Sequence, residues 1–213
     1  MDRGLNTLLK WGIENSSPAI NDPNPDPPTN RELDPAVLSA LLGGPSDADL
    51  MKEAMAAILS TDTGITLDDR LTAFDNFEQL IENLDNANNL EPLALWTPLL
   101  SCLGHAEHEI RRMAAWCIGT AVQNNIRSQE RCLAMGGIPV LVDVAVKADE
   151  DKEVRRKAVY ALSSECRNYQ PAMDVFTGEL DKRGKNIGKV DATDMNAVDT
   201  LIAKLRKDAT VGA

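Results

Sequence analysis

The sequence predicts an all-α fold that is built from tandem repeats. Phe, Trp and Tyr make up only 4% of the 213 residues, so the core must consist mainly of aliphatic side chains, which favours helices over β-sandwiches. Residues typical of helix starts and ends recur from residue 34 onward. A block with helical periodicity also returns after 44 residues, which indicates a repeat protein.

The first 17 residues predict a short amphipathic helix. Its apolar side chains recur at helical spacing and would line one side of that helix: Leu5, Leu8, Leu9, Trp11 and Ile13. Because so short a helix is marginal alone, we expect a flexible amphipathic segment over residues 1–17. Prolines crowd residues 18–33, where they remove backbone donors and exclude helix. This composition predicts an extended linker.

Helix boundaries are readable in the next part of the chain. A helix is expected within residues 34–43, between an early Pro and a closing Gly pair. Ser46 and Thr66 are each followed three residues later by Asp, as in a capping box. The first box opens a helix that runs through Leu59, and the second opens a long helix whose apolar residues recur as far as Leu84.

A block of ten residues occurs twice in the second half of the chain. Residues 109–118, EIRRMAAWCI, return as residues 153–162, EVRRKAVYAL, and Asn124 and Asn168 follow them at the same distance. A weaker earlier copy starts at Arg70. A period of about 40–47 residues made only of helices predicts an armadillo/HEAT-like right-handed α-solenoid with helical caps at both ends.

The repeat domain is expected to span residues 34–213. Each repeat leaves an apolar face open until the next one packs on it, so both ends need a cap. Residues 35–60 can supply the first cap. A C-terminal capping helix over residues 192–207 can supply the second, with four apolar residues on one face: Met195, Val198, Ile202 and Leu205.

Composition and charge exclude several classes of partner. The net charge of −11 repels polyphosphates, so we expect no nucleic-acid partner. Residues 1–100 hold 17 acidic and 5 basic side chains, which indicates either simple solubility or a basic protein partner. No segment is apolar enough for a secretory signal or a membrane span, so we expect a cytoplasmic protein without a membrane partner. The four cysteines form no C-x-x-C pair and are expected to be free, buried thiols.

Few residues could carry out catalysis. His105 and His108 have a spacing that could place two ligands near one metal ion, but no second ligand cluster accompanies them, so an exposed loop is favoured. Cys117 and Cys166 lie on apolar helix faces, which favours core packing over a nucleophilic role. Phosphate-binding glycine motifs and nucleophile elbows do not occur in the sequence. We therefore expect no enzyme, no metal site and no cofactor.

A solenoid of this kind would act through its surface. The long helices of successive repeats line one groove, which makes four residues candidates for partner binding: Arg111, Trp116, Arg155 and Tyr160. For the two aromatic residues the alternative is packing between repeats. For the two arginines the alternative is salt bridging between neighbouring repeats. Both alternatives stay open at this point.

Four stretches of the sequence resemble those of a known family. They are residues 8–16 (LLKWGIENS), 50–55 (LMKEAM), 73–89 (AFDNFEQLIENLDNANN) and 118–125 (IGTAVQNN). Over most of residues 5–170 the chain resembles the armadillo-type nucleotide exchange factors of cytosolic seventy-kilodalton heat-shock chaperones, the Fes and HspBP class, in its short fungal form. The resemblance implies that the repeat domain binds the chaperone's ATPase domain and promotes ADP release.

The resemblance also implies roles for two sets of residues. The apolar residues of the N-terminal segment would compete for the client-binding groove of the chaperone: Leu8, Leu9, Trp11 and Ile13. The alternative is that this segment caps the solenoid. A polar helix end and turn would form the edge of the chaperone contact through Asn83, Asn86, Ala87 and Asn88, and its alternative is a C-cap network.

Two comparisons with related proteins limit these expectations. Longer members of the family continue with further repeats after the position of Asn168, whereas this chain has a Lys-rich loop and one helix, so contacts through later repeats are in doubt. Armadillo import adaptors carry Trp followed four residues later by Asn, and that pattern is absent here because Thr120 follows Trp116 and Ser164 follows Tyr160. We expect a monomeric exchange factor, with a generic protein-binding scaffold as the alternative.

Overall fold

The structure, a computed structural model, describes residues 44–211 of the chain. In that range the chain forms ten α-helices, a short 3-10 turn at Cys102–Gly104 and no β-strand, which confirms the all-α prediction. The helices are α1 (Asp47–Ile58), α2 (Leu67–Ile81), α3 (Leu84–Asn89), α4 (Trp96–Ser101), α5 (His108–Val122), α6 (Ile126–Ala134), α7 (Gly137–Val146), α8 (Lys152–Cys166), α9 (Gln170–Lys182) and α10 (Met195–Val211). The predicted segments 1–17 and 18–33 lie outside the described residues.

Helix α2 begins with the predicted capping box. The Thr66 hydroxyl accepts the backbone N–H of Asp69 at 3.2 Å, and the Asp69 carboxylate accepts that of Thr66 at 2.9 Å. The helix ends at Ile81, however, so the expected continuation as far as Leu84 is wrong. The Asn83 side chain accepts the next free N–H groups and starts α3, which leaves Leu84 56% exposed.

The three long helices pack against one another in chain order. Helix α2 contacts α5, α5 contacts α8, and α8 contacts the C-terminal helix α10. Small residues allow the closest of these approaches: Ala114 and Ala158 are fully buried, and Gly119 of α5 lies under the ring of Tyr160. A Cβ on Gly119 would clash with that ring and lie 3.1 Å from the Cα of Ala161. The core of residues 47–211 therefore lies along these helices.

The arginines that mark each sequence copy have a common structural role. Each one donates to a backbone carbonyl of the segment before its own helix: Arg70 to Ile58 at 2.8 Å, Arg111 to His105 at 2.6 Å and Arg155 to Ala145 at 3.2 Å. These bonds satisfy carbonyls that the preceding segment leaves free. The repeated pattern in the sequence thus marks a repeated contact in the structure.

The ends of α5 and α8 also share one conformation. Asn124 and Asn168 adopt left-handed backbone with φ of 52° and 57°, a conformation that Asn tolerates better than most residues and that reverses the chain after each long helix. After α8 the chain continues into α9 and α10. Helix α10 buries Val198, Ile202 and Leu205, in agreement with the apolar face predicted for it.

Candidate functional site

Side chains from α2, α5 and α8 line a groove of about 450 Å³ along the row of long helices. Its lining residues are Glu78, Glu82, Trp116, Thr120, Gln123, Asn124 and Tyr160. Two of the sequence-predicted site residues, Trp116 and Tyr160, therefore meet in one groove. Because the groove crosses three helices of the row, its shape depends on how those helices pack.

A lysine that the sequence analysis did not select connects the two aromatic residues. The Nζ atom of Lys157 lies 3.8 Å from the centroid of the Trp116 ring and 5.6 Å from that of Tyr160. Burial and the nearby guanidinium of Arg112 lower the pKa of Lys157 from its usual value. The only sequence indication was its position three residues before Tyr160, on the same helix face.

Two hydrogen bonds hold the polar side of the groove. The Tyr160 hydroxyl donates to the Gln123 carboxamide at 3.1 Å, and the Thr120 hydroxyl donates to the Glu78 carboxylate at 2.7 Å. Each bond joins neighbouring members of the helix row. Both Trp116 and Tyr160 are partly exposed, so they contribute to packing between helices and also present ring surface to a partner.

Arg111 and Arg155 lie outside this groove. Arg111 donates to both oxygens of Glu150, at 2.7 and 2.6 Å, in a bidentate salt bridge between one repeat and the loop before α8. Burial is the largest single influence on the pKa of Glu150 and acts to raise it, but the hydrogen bonds from Arg111 and the Asp151 N–H, together with the charges of Arg111 and Lys147, lower the pKa overall. The inter-repeat salt bridge that the sequence left open is thus present at Arg111, and partner binding by Arg111 stays a prediction.

Arg155 is only 5% exposed and makes no ion pair within residues 44–211. Its guanidinium donates instead to the carbonyls of Ala145, at 3.2 Å, and Asp208, at 2.9 Å. The expected salt bridge is therefore wrong for this residue, because backbone oxygens occupy the place of a carboxylate. These contacts give Arg155 a structural role, and partner binding by it stays a prediction.

The asparagine-rich segment forms a short helix rather than a helix end and turn. Asn83 is its N-cap, which corrects the C-cap alternative. Asn86 donates to the Asp47 carboxylate at 2.8 Å and to the Leu80 carbonyl at 3.0 Å, and Ala87 is 2% exposed. The Oδ1 atom of Asn88 is buried without a hydrogen-bond partner in the described part of the chain. Chaperone contact through this segment stays a prediction, as do the roles of Leu8, Leu9, Trp11 and Ile13, which lie outside the described residues.

The histidines and cysteines are held by ordinary contacts. His105 accepts the N–H of Glu107 at 3.0 Å and lies 3.2 Å from the Arg70 guanidinium, and His108 is the first residue of α5. Residues 44–211 contain no group of three or more His, Cys, Asp or Glu side chains placed to hold a metal ion. All four cysteines are free and buried, as predicted. Burial raises the pKa of Cys117 and Cys166 well above its ordinary value, so both remain thiols.

A membrane-spanning segment is also missing from the described helices, since none of them is both long and apolar enough to cross a bilayer. This statement covers residues 44–211 alone. The net charge of the full chain is −11. Because the groove along α2, α5 and α8 brings aromatic and charged side chains together, we take it as the candidate site of the described region.

Comparison with known proteins identifies the family. The family "Nucleotide exchange factor Fes1" matches residues 5–90, and the "SIL1/FES1/HPBP1 C-terminal domain" matches residues 86–180. The chain is 61% identical to the "Hsp70 nucleotide exchange factor FES1" of Gibberella zeae over 207 residues, which cover 97% of each chain. It is 50% identical to the protein of the same description from Neurospora crassa, over 98% of this chain and 99% of that one, and 50% identical to that of Coccidioides immitis, over 97% and 99%. The chain belongs to the Fes1 family of nucleotide exchange factors.

Proposed function

We propose that this protein is a nucleotide exchange factor that binds the ATPase domain of a cytosolic seventy-kilodalton heat-shock chaperone and promotes release of ADP. The relatives in Gibberella, Neurospora and Coccidioides are described as Hsp70 nucleotide exchange factors and match the chain over nearly its whole length. The observation that carries the proposal is the groove that crosses α2, α5 and α8 and presents aromatic and charged side chains. Such a surface suits a protein partner.

We propose further that the fold is an armadillo-like right-handed solenoid over residues 34–213, with a C-terminal cap over 192–207, a flexible segment over 1–17 and a linker over 18–33. Three features support tandem repeats: the long helices contact one another in chain order, each of their arginines bonds a carbonyl of the preceding segment, and two of them end at an Asn in left-handed conformation.

The mechanism proposed here needs binding energy and no bond chemistry. If the protein binds the ATPase domain more tightly when the nucleotide cleft is open, it weakens ADP binding by the same factor by which ADP weakens its own binding. Each tenfold loss of ADP affinity requires about 1.4 kcal/mol of differential contact. An interface of about 800 Å² per partner supplies that amount. Trp116 and Tyr160 are proposed to contact the partner, with Asn83 and Asn88 at the edge, while Arg111, Arg155, Asn86 and Ala87 position the surface.

The protein is proposed to act as a cytoplasmic monomer, without catalysis, cofactor, nucleic acid or membrane. The net charge of −11 supports the absence of a nucleic-acid partner, since polyphosphates are repelled. The four buried free thiols support a reducing compartment. The net charge and the buried thiols are observed in this chain itself and are not taken from its relatives.

Release of a labelled ADP from the chaperone's ATPase domain tests the proposed function. We expect the full-length protein to accelerate release in a concentration-dependent way that saturates. Binding without acceleration would support the alternative, a scaffold without exchange activity. Binding and release are therefore measured on the same samples, by titration and by stopped-flow fluorescence.

Deletion of residues 1–17 tests whether client release depends on the N-terminal segment while ADP release depends on the repeat domain. We expect the truncated protein to accelerate ADP release as well as the full chain does, because the groove is unchanged, but to release a bound client peptide from the chaperone more slowly. A variant with Leu8, Leu9, Trp11 and Ile13 all replaced by Ser serves as a length-matched control. Equal client release by all three proteins would contradict a client-releasing role and favour a capping role for the segment.

A further inference from the structure

The face along the helix row is divided by charge. The groove described above has Glu78 and Glu82 in its lining and no basic residue. An adjoining cavity of about 310 Å³ is lined by Glu153, Arg156, Lys157, Tyr160 and Arg206. Because Tyr160 lines both, the two form one continuous face with an acidic end (Glu78 and Glu82) and a basic end (Lys157 and Arg206).

Neither cation of the basic end is held in an ion pair within the described part of the chain. Arg156 is paired with Glu153 at 3.3 Å, but neither Lys157 nor Arg206 forms an ion pair with any carboxylate of residues 44–211. Lys157 faces two rings and Arg112, whose positive charge opposes its own, while the carboxylates of Glu78 and Glu153 attract it without forming an ion pair. A carboxylate brought to this end would relieve that repulsion. In a chain of net charge −11, a basic patch with two cations outside any ion pair of the described residues is therefore distinctive.

The carboxylates of the acidic end also lack ion-pair partners among residues 44–211. Glu78 accepts a hydrogen bond from the Thr120 hydroxyl, which is neutral, and Glu82 is exposed and makes no ion pair among the described residues. The carboxylates belong to α2 and the residue that follows it, and the cations belong to α8 and α10. Charges of opposite sign at the two ends of a binding face favour one orientation of a partner over its reverse.

We propose that the chaperone's ATPase domain docks on this face in a single orientation, with a carboxylate-rich region against Lys157 and Arg206 and a basic region against Glu78 and Glu82. This inference rests on the proposed function and adds the charge pattern that the partner must present. It also gives α10 a binding role through Arg206. The charges at the acidic and basic ends would mainly raise the association rate constant, because long-range attraction aligns the two proteins before they touch.

A charge swap tests the orientation without altering the net charge. The variant Glu82→Arg/Arg206→Glu cancels the charge of each end, because Glu78 and Lys157 stay in place, and it keeps every other side chain. The matched control, Arg127→Glu/Glu130→Arg, exchanges two exposed charges of α6 that line neither cavity. Kd and the association rate constant for the isolated ATPase domain are measured by stopped-flow binding at 50 mM and 500 mM salt, and circular dichroism checks that helicity is unchanged.

We expect the swap to raise Kd at least tenfold at 50 mM salt, mostly through slower association, and the two single variants to raise it about threefold each. The difference in Kd between the swap variant and the wild type should shrink severalfold at 500 mM salt, where exposed charges are screened. The α6 control should match the wild type. Equal affinity of swap and wild type at 50 mM salt overturns the orientation. Failure of the wild type itself to bind or to release ADP overturns the proposed function instead, so the two failures are distinguishable.

Discussion

Helices α5 and α8 carry the same sequence block in different surroundings. In α5, Arg111 reaches a surface where its side chain is 17% exposed, and it bonds Glu150 of the following loop. In α8, Arg155 is almost completely buried, and its hydrogen bonds within residues 44–211 go to backbone carbonyls, one of them that of Asp208 in α10. One arginine therefore stabilises the contact to the next repeat, and the other stabilises the contact to the last helix.

The two helices also differ in the polarity of their interiors. Ala121 near the end of α5 is buried, and the residue 44 positions later in α8 is Glu165, whose carboxyl group is fully buried beside the thiol of Cys132. Gln129 of α6 lies close by and donates to three carbonyls at the end of α8. The comparison teaches that a repeated sequence fixes the backbone contact, whereas neighbouring elements decide how polar and how buried each copy becomes.

The largest expected effect is that of Arg155→Ala. The substitution removes a buried guanidinium and leaves two carbonyl oxygens without their donor, so we expect the free energy of unfolding to fall by about 3 kcal/mol. Urea denaturation followed by circular dichroism measures the change. Arg156→Ala, at the exposed neighbouring position, is the control and should change stability by less than about 0.5 kcal/mol.

Arg111→Ala completes this comparison. We expect it to cost about 1.5 kcal/mol, since loss of the partly exposed arginine also opens Glu150 to water, which solvates the carboxylate. Equal costs at the two positions would mean that the difference in burial has no energetic consequence. A cost below about 1 kcal/mol for Arg155→Ala would show that its carbonyl contacts do not stabilise the C-terminal helix.

The buried Glu165 predicts that the stability of the protein depends on pH. Ala121, at the equivalent position of α5, has no ionisable group and produces no such dependence. Burial raises the pKa of Glu165 from 4.5 to about 9, so the folded state keeps this proton at pH values where the unfolded chain has lost it. Stability must therefore fall as pH rises between these two values and level off above the higher one. In Glu165→Gln that dependence is removed, and the variant should gain stability relative to wild type by about 1 kcal/mol per pH unit between pH 6 and 8.

Urea denaturation of both proteins at pH 6, 7 and 8 provides the measurement. Every other ionisable group is present in both proteins, so the difference between the two curves isolates Glu165. The neighbouring thiols of Cys132 and Cys166 have pKa values raised well above 9 and stay protonated. Parallel curves for the two proteins would show that the carboxyl ionises in both states at the same pH.

The sequence predicted which residues recur and missed the contacts that depend on distant partners. The spacing of Arg111 and Arg155 and of the asparagines after their helices indicated local features that the structure shows in both copies, because these residues meet backbone that lies close by along the chain. The burial of Arg155 could not be read in this way, since α10 supplies one of its partners from 53 residues away. Lys157 was missed for a related reason: its contact with Trp116 exists only once α5 and α8 are packed.

The smallest expected effect tests the candidate site itself. Lys157 occupies the position that Met113 holds in the first copy, so Lys157→Met makes α8 more like α5 while it removes the cation between the two rings. We expect stability to change by less than about 1 kcal/mol, the scale of a partly exposed cation–π contact, but Kd for the ATPase domain to rise about threefold because the basic end of the face loses a charge. Lys157→Arg keeps both the charge and the ring contact and should bind like the wild type. If Arg weakens binding as much as Met does, the shape of the lysine side chain rather than its charge determines affinity. If neither variant alters Kd, the partner does not contact the surface between Trp116 and Tyr160, and the proposed site must be moved along the helix row.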